Sequence, residues 1–150
     1  MKRLPYRESS VFSIPLSHGS FARGVVARIA PKGRILLGYF FGPRVSSAEI
    51  GGILPDKAIL IARFGDLHLI SGKWQVFAEI GDWNRAEWPI PEFVHRDLLG
   101  VLPDEVVRYS DDDIGGLGSR ERRPIIPTGL AEDQLMGAEF VEIRLSNLLA

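Results

Sequence analysis

Cysteine is absent from the 150 residues. That excludes a disulfide scaffold, a cysteine-based zinc site, an iron–sulfur cluster and a thiol nucleophile. No apolar run approaches the ~20 residues that a membrane-spanning helix requires. Residues 1–20 hold no uninterrupted apolar core of the signal-peptide kind, so a cytoplasmic location without a membrane partner is expected. Histidine is scarce: His18, His68 and His95 stand 50 and 27 residues apart. No pair has the spacing that sets two imidazoles on one helical face, and each reads as a surface or hydrogen-bonded histidine. A G-x-S-x-G nucleophile elbow is also missing. No metal, cofactor or catalytic residue is expected.

What is present has the balance of a folded protein, with 45% apolar and 25% charged residues. The length suits one domain spanning 1–150. Gly and Pro fill 26 of 150 positions, above an average nearer ~12%, which favours short elements joined by turns. Neither a low-complexity tract nor a repeat of solenoid period occurs. The net charge of −1 hides an asymmetry. Residues 1–75 carry 11 Lys/Arg against 4 Asp/Glu, and residues 76–150 carry 7 against 15, balances of +7 and −8. The halves either interleave and neutralise each other or present basic and acidic faces to different partners.

Alternation in Val11–Leu16 places Phe12, Ile14 and Leu16 on one face of a strand, with Pro15 at an edge or strand end. Ser17–Ser20 forms a turn in which Gly19 takes positive φ. Phe21–Ala30 and Arg34–Gly42 follow as strands around a Pro31–Gly33 link, and Gly24 marks a bulge or bend. Such a meander suggests a curved antiparallel sheet, an SH3-like partial barrel. Ser46-Ser-Ala-Glu49 has the form of a capping box and predicts a short helix. Ala58–Phe64 and Trp74–Ile80 read as strands, with Trp74 in the core. Residues 81–97 are too rich in Pro and Trp to be regular for long. Leu130–Met136 predicts one or two helical turns, and Phe140 and Ile143 a final strand over Ala138–Leu145. The fold class is mainly β, α+β at most, with one or two short helices.

Asp111-Asp112-Asp113 is not a calcium loop, because the fifth position is Gly115 and the twelfth Arg122. Gly116-Leu-Gly118 lacks the third glycine and the Lys-Ser/Thr of a phosphate cradle. The segment reads as a solvated, mobile acidic loop. Arg120–Arg123 is short and flanked by acid. With a pI near 6.3, a nucleic-acid partner is not expected.

Three segments carry a resemblance: Ile59–Phe64, then Ser71-Gly-Lys-Trp-Gln-Val-Phe77, then Trp88-Pro-Ile-Pro-Glu-Phe93. Together with Val11–Leu16 and Phe21–Val26, over about residues 8–97, they are similar to the bacterial polymorphic-toxin immunity protein family twenty-six. The resemblance implies a small, mostly β protein that binds and neutralises a cognate toxin domain and has no catalytic residues. An exposed indole at Trp83 or Trp88 could anchor such an interface. Asp111, Asp112 and Asp113 could imitate phosphates towards a basic toxin surface. These five are the expected partner-binding residues. The alternative is an SH3-like or Tudor-like module that binds a peptide or nucleic acid through the basic half; a small hydrolase with no recognisable motif is a third.

Overall fold

The computed structural model describes residues 3–32 and 34–150. β1 (Ser10–Pro15), β2 (Phe21–Ile29) and β3 (Ile35–Val45) form the expected antiparallel meander, with Pro15 ending its strand. Gly19 takes a φ of +69° in the first turn. Pro31 and Lys32 form the second turn, and Gly33 lies outside the described residues. β4 (Leu60–Gly65) pairs with β3, α1 (Leu67–Ser71) follows, and β5 (Gln75–Glu79) pairs with β1 on the opposite side. β6 (Phe93–His95), β7 (Glu105–Arg108) and β8 (Ser119–Arg122) build a second antiparallel ribbon. β9 (Ala131–Glu132) joins β6 in parallel, β10 (Leu135–Met136) joins β4 in parallel, and α2 (Ala138–Leu148) ends the chain. The two sheets are open, ordered β10-β4-β3-β2-β1-β5 and β8-β7-β6-β9, so the fold is mainly β and no barrel closes.

Period-2 alternation explains the layers, because both faces of the central strands are apolar. Phe12, Ile14, Val26, Leu36, Phe40 and Phe64 face α1, Trp74 and α2. Val11, Val25, Leu37, Tyr39 and Phe41 face Trp88, Phe93, Val107 and Ile114. Gly24 is regularly paired with Phe12 and Phe40, and the register shifts flank it at Phe21/Arg23 and Val26/Arg28. Its role is close approach: a β-carbon there would meet the Phe12 ring at 2.4 Å. The bulges beside it accentuate local twist.

Three expectations are corrected. Ala138–Leu145 is helical, not a strand. Ala138, Val141 and Leu145 are its buried stripe, at i, i+3 and i+7. Phe140 and Ile143, three apart, lie on its exposed side. Leu130–Met136 makes no helical turn, because pairing with β6 and β4 extends the chain. Ser46–Glu49 opens no helix. Arg23, buried on β2, donates from one guanidinium nitrogen to the carbonyls of Glu49 (3.0 Å) and Gly51, which ties this segment to the sheet.

Trp74 is core as expected, stacked on Phe12 with centroids 5.6 Å apart and tilted against Phe64 at 5.8 Å. Its indole N–H donates to Glu142 of α2 at 3.3 Å. We expect Trp74→Ala to lower unfolding stability by about 3–5 kcal/mol. Urea denaturation checks this, and a midpoint equal to the parent's at unchanged slope would show that the ring carries no packing energy.

Candidate partner-binding surface

Arg28 organises the expected site residues. It follows the second bulge of β2 with only 2% of its side chain exposed. A buried guanidinium is costly unless its N–H groups are paired. Here it donates to the carbonyls of Ala27 (2.7 Å), Trp88 (3.0 Å) and Arg85 (3.3 Å), and to Asp111 Oδ1 (3.0 Å). One side chain thus ties the 85–88 turn and the acidic loop to the central sheet. Asn84 shapes that turn by accepting from the Ala86 amide at 3.1 Å.

Trp88 does not supply the exposed indole that the Pro-rich context suggests. It is 3% exposed and meets Tyr39 and Phe41 edge-on, at 5.1 and 6.1 Å. The second sheet covers this face of the central strands, and the irregular chain delivers Trp88 into that layer. Trp83 stacks on Trp88 at 5.4 Å, partly buried, and donates to Glu8 at 2.8 Å. Burial alone would raise the Glu8 carboxyl; hydrogen bonds from Arg85 (2.5 Å) and Trp83 override it and hold the group below its ordinary value.

The acidic loop is anchored rather than freely solvated. Asp111 caps Arg28, and Ile114 is fully buried against the same core, its carbonyl accepting from Arg63 at 3.3 Å. Asp112 stands 95% exposed, 3.7 Å from Arg85, and Asp113 is exposed. Trp83, Asp111 and Asp112 therefore share one surface around Arg85, with Trp88 beneath it.

The two charge halves interleave. Arg7 pairs with Glu79, Arg28 with Asp111, Arg63 with Asp133 and Lys73 with Glu142. Arg23, Arg28 and Arg63 are buried on the central sheet. Asp133 joins the layers: it receives Arg63 at 3.3 Å and the Tyr109 hydroxyl, while its amide donates to Val94 at 2.8 Å.

A second surface escaped the sequence reading. Between β6 and β7 the chain exposes Leu98, Leu99, Val101 and Leu102 at 99, 85, 78 and 61%. Asp97 holds this turn. Its Oδ2 accepts from the amides of Val101 (2.8 Å) and Leu102 (2.9 Å), and its carbonyl from Gly100 (3.0 Å), whose φ is +66°. The available signal was Asp97-Leu-Leu-Gly-Val-Leu-Pro103, an apolar run too short to cross a core and bounded by turn residues. A cleft of about 430 Å³ lies elsewhere, between Ile59–Ile61, Leu130 and Phe140.

Among the described residues no group of three or more His, Asp or Glu side chains is placed to hold a metal ion, and no helix is long and apolar enough to cross a membrane. A family model described as Immunity protein 26 matches residues 7–101, from just before β1 into the 97–102 turn. No curated protein and no solved structure matches the chain.

Arg28→Ala should destabilise by about 1–3 kcal/mol for each buried carbonyl it orphans. Asp112→Asn and Asp113→Asn should stay within about 0.5 kcal/mol of the parent, with Asp111→Asn between. Urea midpoints for the four variants check this order; an unchanged Arg28→Ala midpoint would contradict the anchoring role.

Proposed function

The chain belongs to the Immunity protein 26 family, and on that premise we propose that it protects its host by binding a cognate toxin domain in the cytoplasm, without a chemical step. The match over residues 7–101 carries this reading. It includes the whole central meander, Trp83, Trp88 and the apolar turn as far as Val101.

Three groups, Tyr39, Tyr109 and Glu92, are tied to structural partners and not poised for proton transfer. A general acid or base works best with a pKa near the operating pH. Burial pushes the Tyr39 hydroxyl up to about 12, and burial with a hydrogen bond to Asp133 does the same for Tyr109. Hydrogen bonds from Arg123 and Arg108 hold the Glu92 carboxyl down at about 2. Each is tied to a structural partner and keeps one protonation state near neutral pH. The nucleic-acid alternative loses support from the buried arginines, since Arg23, Arg28 and Arg63 spend their N–H groups inside the protein. A phosphate-tracking surface needs such groups exposed.

Co-expression with each toxin-like domain found in the neighbouring genes tests the proposal. We expect growth to be restored and the two chains to co-purify at fixed stoichiometry with the toxin covalently unaltered. Continued growth arrest in the presence of folded chain would contradict immunity. Protection accompanied by substoichiometric modification of the toxin would contradict a non-enzymatic mechanism.

A further inference from the structure

We propose that the 97–102 turn is the principal docking knob, and that it inserts into an apolar socket rimmed by Lys or Arg on the toxin domain. This deepens the binding function proposed above and rests on it. Three observations carry the inference.

First, Leu98, Leu99, Val101 and Leu102 belong to neither hydrophobic core. Burying such side chains removes apolar surface from water, a gain that the isolated fold leaves unrealised. Four aliphatic side chains around one glycine form an exposed apolar cluster of the kind that marks an interaction site.

Second, the turn is set before binding. The two amides donated to Asp97 Oδ2 and the Gly100–Asp97 bond fix its backbone. Those donors, Leu102 first and Val101 next, hold the Asp97 carboxyl below its ordinary value, so it remains an acceptor. At the base, Arg96 bridges Asp104 (3.0 Å) and Glu132 (3.1 Å), bracing the turn against β9. Preorganisation lowers the ordering cost of association.

Third, the collar selects the occupant. Asp104 and Glu132 share Arg96, Asp97 stands in the turn itself, and Glu105 faces Arg122 and Arg120 across the ribbon, four carboxylates against three cations. Anionic lipid would repel that net negative collar. An isologous pairing of two copies through this tip would bring equal negative collars together. A basic rim around an apolar socket complements both features, and charge complementarity speeds encounter.

The test uses the full chain and the toxin domain whose growth arrest it relieves on co-expression, in a non-toxic variant, with affinity and association rate measured against ionic strength. Leu98→Ser with Leu99→Ser should weaken binding at least ~100-fold, as loss of a central hot spot does, with the urea midpoint unchanged. Val101→Ser with Leu102→Ser serves as a second probe of the same knob. Asp104→Asn with Glu132→Gln should slow association about tenfold at low salt and flatten its salt dependence. Leu117→Ser, at an equally exposed leucine beyond the other end of β7, should bind like the parent. If the parent binds and both tip variants bind equally well, the docking inference is overturned while the immunity reading stands. If the parent does not bind, both fail. Sedimentation of the parent alone and with phosphatidylglycerol vesicles completes the test. A dimer or vesicle complex abolished by the tip substitutions would overturn the inference in favour of a second copy or a membrane.

Discussion

The structure depends on one constraint: β2 and β3 are buried on both faces. A sheet that shows water neither face must be covered twice. Trp74, α1 and α2 supply one cover, and the four-stranded sheet with Trp88 and Ile114 supplies the other. Aromatic rings then crowd the central strands. At Gly24 and Gly38 the rings of Phe12, Phe40 and Phe64 occupy the space that a β-carbon would need.

The same burial fixes the irregular chain. Arg23, Arg28 and Arg63 sit on strands from which their guanidinium groups cannot reach water freely. Each must find acceptors inside, and the covering segments provide them. Glu49 and Gly51 serve Arg23; Trp88, Arg85 and Asp111 serve Arg28; Ile114 and Asp133 serve Arg63. Segments that look like loose connections in the sequence become fixed parts of a rigid body. The basic N-terminal half and acidic C-terminal half are two sides of these internal pairings. At the β6–β7 end four neighbouring aliphatic side chains, Leu98, Leu99, Val101 and Leu102, stay exposed together.

Strand periodicity was legible where one rule dominated. Phe12 and Ile14 alternate cleanly, Gly19 marks its turn, and Trp74 heads a strand that carries it into the core. The C-terminal helix was misread because Phe140 and Ile143 drew attention to bulk, while the smaller Ala138, Val141 and Leu145 carried the helical period. Composition alone made Trp88 look exposed and gave no sign that Asp111, solvated as expected, is also held in place. Both are placed by Arg28, a partner distant in sequence that no local pattern reveals. The family resemblance was readable from the order and spacing of the strands; the apolar tip was not, since nothing in a short leucine-rich run tells a covered segment from an exposed one.

Hydrogen–deuterium exchange of the full chain, alone and with the toxin domain proposed as its partner, tests the account most directly, because it maps contact without altering a residue. The account predicts that amides 98–102 gain the strongest protection while the central strands, already slow, hardly change. Protection centred on Trp83–Trp88 or on the cleft between Ile59 and Phe140, with amides 98–102 unchanged, would contradict it.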